Sequence, residues 1–201
     1  GNDSIYGEAG IDELDGGEGD DLIDGGAGAN RIEFTSGDGQ DLILEATVVE
    51  SDTLAFTDYD RADATYTVDR DNLIISFTNG DSVTITDAFG QFGGAVGVVE
   101  YADESVTIAD IAADIIASQQ TSGDDIINGT SADETFNGGT GDDIIFGGAG
   151  DDLYLFTEGD GDDQIYEISG DDTINFGTLS SEDATVSFDG PALLIEFTSG
   201  D

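Results

Sequence analysis

The chain has 201 residues, of which 47 are Asp or Glu and only three, Arg31, Arg61 and Arg70, are basic, giving a formal charge of −44. Such a charge repels nucleic acid and acidic membrane surfaces and makes a cation the natural partner. With no Cys and no His, disulfides, thiolate sites and histidine-based zinc sites are excluded, and the hard oxygen ligands that remain favour calcium over transition metals.

Hydrophobic residues make up 37% of the chain and fall at fixed places. That placement argues against disorder under all conditions, while a salt-adapted acidic surface and disorder confined to the metal-free state stay open. No run approaches the length of a membrane span, so no membrane insertion is expected.

Gly1-Asn2-Asp3-Ser4-Ile5-Tyr6 reads as the last six positions of a nine-residue repeat, and residues 7–15, 16–24 and 25–33 follow in register. The sixth positions are Asp3, Asp12, Asp21 and Asn30, and the eighth are Ile5, Leu14, Ile23 and Ile32. Glycines in the first four positions let the backbone turn carbonyl oxygens inward around a small cation, and the sixth-position carboxylate closes the cage. The last three residues then extend, with the eighth facing a core. Residues 34–43 insert two residues before a loop that places Asp41 sixth and Ile43 eighth, and a looser coil gives Asp52 and Leu54.

The pattern then changes. Residues 64–68, 73–77 and 82–86 read as an antiparallel meander, with Asn79-Gly80 as a hairpin signal because both residue types tolerate positive φ. Residues 98–101 and 105–108 suggest one more hairpin. Thr107 with Asp110 resembles a capping box opening a short helix, whose Ile108, Ile111 and Ile115 share a face expected to pack on the meander.

The repeats return from Gly123, with Asp125, Glu134, Asp143 and Asp152 sixth and Ile127, Phe136, Ile145 and Tyr154 eighth. Residues 159–165 repeat the modified loop around Asp163, and Asp172 the looser coil. Gly138 follows Gly16 by 122 residues, so a second, longer period underlies the chain. Residues 184–188 and 193–197 copy two meander strands, and the copy stops at Gly200-Asp201. An unpaired edge at 193–198 is expected to allow edge-strand association with another chain. Because Gly1 falls inside a repeat, the chain reads as a segment of a longer one. The expected division is a first repeat array at 1–56, a meander with hairpin and helix at 57–118, a second array at 119–176 and a truncated meander at 177–201.

Gly138-Gly139-Thr140-Gly141-Asp142-Asp143-Ile144-Ile145-Phe146 has the pattern Gly-Gly-x-Gly-x-Asp-x-apolar-x. With residues 16–24 and 147–155 it resembles the RTX family, the haemolysin-type calcium-binding repeat proteins secreted by Gram-negative bacteria. Residues 99–111 resemble the module that often accompanies those repeats. The resemblance implies an all-β fold of parallel β-roll arrays, two nonapeptides to a turn, alternating with an antiparallel β meander and one short helix. It implies that Asp3 pairs with Asp21, Asp12 with Asn30, Asp125 with Asp143 and Glu134 with Asp152. The series continues through Asp21 with Asp41, Asn30 with Asp52, Asp143 with Asp163 and Asp152 with Asp172. Each pair would hold one Ca2+, helped by backbone carbonyls of Gly16, Glu18, Gly25, Ala27, Gly138, Thr140, Gly147 and Ala149. Asn30 and Glu134 depart from the family's Asp, one neutral and the other longer by a methylene. Asp20, Asp24, Asp142 and Asp151 beside these positions are assigned no ligand side chain.

Two carboxylates held about 4 Å apart repel by ~1 kcal/mol even at the dielectric of water, and three-residue strands bury too little to order themselves. Calcium binding and folding are therefore expected to be one equilibrium, in the range of about 10⁻⁴ to 10⁻³ M at which extracellular calcium modules work. The leading expectation is a calcium-binding structural module of a larger secreted or cell-surface bacterial protein, holding several ions and serving export, folding or spacing; the export role comes from the resemblance alone. An adhesin-type module recognising sugar or protein is the second reading, and it calls for an exposed aromatic patch around Tyr59, Tyr66 or Tyr101. A part in a secreted hydrolase is the third. Carboxylates are so abundant that a pair carries little information, and no nucleophile motif is present, so no enzymatic activity is expected of this chain.

Overall fold

The structure is a computed structural model and describes residues 1–44, 52–89, 96–180, 182, 184–189 and 192–197. The chain forms two compact units, Gly1–Ile115 and Ile116–Asp201.

In the first unit the nine-residue period becomes a strand at every repeat: β1 (Ser4–Tyr6), β2 (Glu13–Asp15), β3 (Leu22–Asp24), β4 (Arg31–Phe34), β5 (Gln40–Leu44) and β6 (Asp52–Phe56). Alternate strands stack in parallel, so that β1, β3 and β5 join one sheet and β2, β4 and β6 another. The register follows the repeat, with Ile5 opposite Ile23, Ile23 opposite Ile43, Leu14 opposite Ile32 and Ile32 opposite Leu54. Ile23, Ile32, Ile43 and Leu54 are buried, while the neighbours Leu22, Asp24, Arg31, Glu33, Leu42 and Leu44 are only half-buried, as a period of two requires.

The expected antiparallel module is present as β7 (Thr65–Asp69), β8 (Asn72–Ser76) and β9 (Ser82–Ile85), followed by β10 (Val96–Glu100) and β11 (Ser105–Thr107). It also does something the alternating pattern does not reveal. β9 pairs in parallel with β5, and β10 in parallel with β6. The last coil of the roll otherwise presents a row of backbone N–H and C=O groups, and these strands satisfy them. The sheet orders are β1-β3-β5-β9-β8-β7 and β11-β10-β6-β4-β2. Across the new junctions Val83 lies opposite Asp41 and Val96 opposite Asp52.

An aromatic group fills the space under the module. Tyr59 stacks on Phe77 at 3.8 Å, Phe56 on Tyr101 at 5.3 Å, and Phe34 meets Phe56 edge-on at 5.5 Å. Burial of such rings contributes on the order of 2–3 kcal/mol each. Asn79 does not share a positive-φ turn with Gly80, whose φ is 101°. Its amide donates to the Tyr59 hydroxyl at 2.8 Å and to Asp81 at 2.6 Å. α1 (Ile108–Gln119) opens with a reciprocal cap, Thr107 N–H donating to Asp110 at 2.9 Å and Asp110 N–H to the Thr107 hydroxyl at 3.1 Å. Ile111 is fully buried in the core of this unit, flanked by Ile108 and Ile115.

The second unit repeats the roll as β12 (Ile126–Asn128), β13 (Thr135–Phe136), β14 (Ile144–Ala149), β15 (Leu153–Leu155), β16 (Gln164–Ser169) and β17 (Thr173–Asn175). They form two three-stranded parallel sheets, β12-β14-β16 and β13-β15-β17. Among the described residues the core is Ile116, Ile127, Phe136, Ile145 and Tyr154, with Phe136 and Tyr154 stacked 5.2 Å apart. β18 (Ala184–Asp189) and β19 (Ala192–Phe197) form an antiparallel pair, and among the described residues β19 has no second neighbouring strand.

Candidate metal centre

Each nonapeptide loop turns through glycines that a side chain would strain: Gly139 and Gly141 have φ of 90° and 128°. The first glycine of a loop is needed for a different reason. A β-carbon at Gly16 would lie 2.5 Å from Asp21 Oδ2, and one at Gly138 would strike Asp143 Oδ2. The missing side chain is what lets the sixth-position carboxylate fold back under its own loop.

All eight expected pairs of sixth-position residues meet across the coils, by one repeated contact. Oδ1 of the lower residue accepts the backbone N–H of the upper: Asp21 from Asp3 at 2.6 Å, Asn30 from Asp12 at 3.0 Å, Asp41 from Asp21 at 3.0 Å and Asp52 from Asn30 at 2.7 Å. In the second unit Asp143 accepts from Asp125 at 2.8 Å, Asp152 from Glu134 at 2.8 Å, Asp163 from Asp143 at 2.9 Å and Asp172 from Asp152 at 3.1 Å.

The second carboxylate oxygen separates these residues into two kinds. Oδ2 of Asp12, Asp21, Asp143 and Asp152 is buried and accepts no hydrogen bond. A buried carboxylate oxygen without a donor is costly, and it marks a place for a cation. Asp125 and Glu134 differ. Thr121 donates to Asp125 Oδ2 through its N–H at 2.6 Å and to Oδ1 through its hydroxyl at 2.8 Å. Thr130 does the same for Glu134, its N–H at 3.0 Å from Oε2 and its hydroxyl on Oε1.

Asn30 is satisfied in another way. Its amide donates to the carbonyls of Gly25 and Gly28, both at 3.0 Å, and so stands where a cation would bridge carboxylate and carbonyl.

Of the carbonyls carried over from the resemblance, Gly25 and Gly147 point at the bare α-carbons of Gly7 and Gly129 one coil up, where Asp12 Oδ2 and Glu134 Oε2 also converge. Glu18 accepts from the backbone nitrogen of Gly1, and Ala27 from Gly10 N–H at 2.8 Å. Gly16, Glu18, Ala27, Gly138, Thr140 and Ala149 all lie in loops whose sixth position is a residue of the ladder. Burial pushes Asp41 up to about 7 and Asp163 up to about 6, with the neighbouring aspartates adding to the effect of burial. Both are carboxylates that the fold alone holds charged only with difficulty.

The sequence reading passed over a second ladder. Fifth-position side chains pin the coils too: Asp124 accepts Asp142 N–H at 3.0 Å and Asp142 accepts Asp162 N–H at 3.1 Å. Asp133 accepts Asp151 N–H at 2.9 Å, Asp151 accepts Asp171 N–H at 2.9 Å and Asp20 accepts Gln40 N–H at 3.2 Å. Asp24 caps its own turn through Gly26 N–H at 3.0 Å. The signal was the recurrence of Asp at the fifth position. Asp38 and Asp160 were also missed: each closes the modified loop by accepting from the threonine three residues before it, Thr35 at 2.5 Å and Thr157 at 2.6 Å.

Tyr59 and Tyr101 are buried and Tyr66 is half-buried, its hydroxyl 2.9 Å from that of Tyr101. They form core rather than an exposed aromatic patch.

The donor set fits a hard divalent cation. Four buried oxygens lack donors, the glycine-bared cradles gather carboxylate with carbonyl, and every candidate ligand is oxygen. The fold and its loops thus define a class, a parallel β-roll whose acidic turns face one another between coils. Residues 1–32 and 120–154 match the RTX calcium-binding nonapeptide repeat, in four copies. No curated protein matches the sequence. Among solved structures the chain is similar to the extracellular lipase LipA from Serratia marcescens, with a TM-score of 0.39 and 17% identity; the match covers 100% of this chain and 37% of the lipase chain.

Proposed function

We propose that this chain is a calcium-binding structural module of a larger secreted or cell-surface protein, and that its two rolls become stable when calcium enters the loops. The observation that carries this reading is the set of four buried Oδ2 atoms, on Asp12, Asp21, Asp143 and Asp152, that no protein donor reaches. Bound calcium would supply the positive charge that these four oxygens lack. Asp3, Asp41, Asp52, Asp163 and Asp172 complete the columns above and below. Asn30, Asp125 and Glu134 hold their positions with protein hydrogen bonds, so they space the columns rather than serve as strong ligands. The strands position the acids, the eighth-position residues exclude water beneath them, and the fifth-position ladder keeps successive loops in register.

Folding and loading are then linked, because only the rolled chain presents the oxygens together. Calcium titrated into chelator-stripped protein is expected to produce a cooperative gain of β circular dichroism near about 10⁻⁴ to 10⁻³ M. A full β signal in excess chelator would refute the coupling.

A further inference from the structure

Glu167 stands where the coil above has a glycine. The loop Gly147-Gly148-Ala149-Gly150-Asp151-Asp152 is answered one coil on by Glu167-Ile168-Ser169-Gly170-Asp171-Asp172, which keeps the spacing to the sixth-position acid but begins with a glutamate. β14 and β16 run parallel, with Phe146 opposite Tyr166 and Gly148 opposite Glu167. The Glu167 side chain therefore reaches the bare α-carbon of Gly147. Its Oε1 and the Tyr154 hydroxyl both crowd the place that a β-carbon at Gly147 would take. Carboxylate oxygens of Asp152, Glu167 and Asp172 lie within 4.8 Å of one another.

Two observations beyond this clustering point to a ligand. Asp152 is 1% exposed and its Oδ2 has no hydrogen-bond partner. Tyr154, also 1% exposed, has a hydroxyl with no partner, although buried phenols ordinarily find one. Residues 116–201 contain no Lys, Arg or His, so this unit offers no counter-charge of its own. The same exchange recurs in sequence: Glu45 precedes Glu167 by 122 residues, the step that separates Gly16 from Gly138, although Glu45 lies outside the described residues.

We propose that Asp152, Glu167 and Asp172 form a three-carboxylate site for a hard divalent cation, with the Tyr154 hydroxyl as a neutral oxygen on its inner wall, and that this is the tightest site of its roll. The inference rests on the calcium reading above and adds to it a ligand from outside the sixth-position columns. Charge count is one of the two variables that set affinity among calcium sites, and a third carboxylate raises it.

Calorimetric titration of the full chain with calcium chloride tests it, comparing the wild type with Glu167→Gln and with Asp171→Asn, an exposed acid of the same loop outside the cluster. Glu167→Gln is expected to weaken the tightest binding event on the order of tenfold, with Asp171→Asn leaving it nearly in place. Equal effects of the two variants, or none from Glu167→Gln, overturn the proposal while leaving calcium uptake by the other loops intact. A wild type that takes up no calcium removes the underlying reading instead. If Glu167→Gln does not fold, Tyr154→Phe keeps all three carboxylates and decides the matter with terbium(III) as the probe. Loss of a distinct tyrosine-sensitised emission component places an ion beside that phenol, and unchanged emission overturns the site.

Discussion

Thr121 and Thr130 occupy the second loop position that glycine holds at Gly17, Gly139 and Gly148, and the exchange decides what the sixth-position acid lacks. With threonine, Asp125 and Glu134 receive donors on both oxygens; with glycine, Asp21, Asp143 and Asp152 keep one oxygen bare. Asn30 carries its own donor. Replacing it by Asp removes two amide hydrogen bonds and leaves a carboxylate facing the Gly25 and Gly28 carbonyls. Asn30→Asp is expected to lower stability at limiting calcium by about 1–3 kcal/mol and to raise the calorimetric stoichiometry by one ion. An unchanged stoichiometry would mean that the loop has no room for a cation. Asp81 gives a residue-scale prediction in pH. Burial works to raise its pKa, but donors from Tyr59, Gly37 and Asn79 outweigh burial and hold it below the ordinary carboxylate range. A lowered folded pKa stabilises the fold above the unfolded value of about 3.9, and that stability is lost as pH falls through the folded value. Tyr59→Phe removes one donor, so acid unfolding followed by circular dichroism is expected to begin at higher pH than in the wild type.

At the scale of elements, the strands of the two rolls are only two to six residues long, too short to order themselves without the side chains that several of them bury in the core. Ile43→Ala removes a fully buried side chain from β5 and is expected to cost about 2–5 kcal/mol in urea unfolding with calcium present. Ile11→Ala alters a residue 84% exposed and is expected to stay within about 0.5 kcal/mol. Much of this was legible beforehand. The nine-residue spacing fixes loop and strand together, so Ile23, Ile32, Ile145 and Tyr154 could be placed in the core without coordinates, whereas the pairing of the acid columns came from the family resemblance and not from the spacing. What escaped was long-range or depended on one atom. Nothing in the alternation of residues 82–86 says that they lie beside residues 40–43 in parallel, because a period of two assigns a face and not a neighbour. Nor did the acid columns alone reveal which carboxylates have donors, since that turns on a threonine hydroxyl four residues away.

For the whole molecule, the buried clusters of the two units differ among the described residues: that of Gly1–Ile115 draws on the roll, the aromatic group and helix residues Ile111 and Ala112, whereas that of Ile116–Asp201 comprises Ile116, Ile127, Phe136, Ile145 and Tyr154 with partial help from Phe156 and Ile165. Stability scales with apolar area removed from water. Scanning calorimetry of the calcium-loaded chain is expected to resolve two transitions, with Ile145→Ala lowering only the cooler one. A single transition that moves as a whole would show that the units unfold together.

Val83 and Val96, both buried, stand where the next acids of the first unit's columns would fall. A solenoid whose every layer offers the same face to the next has no inherent length. At this edge two side chains that carry only methyl groups take the acids' place, so the backbone ladder runs on into the meander while the run of carboxylates stops.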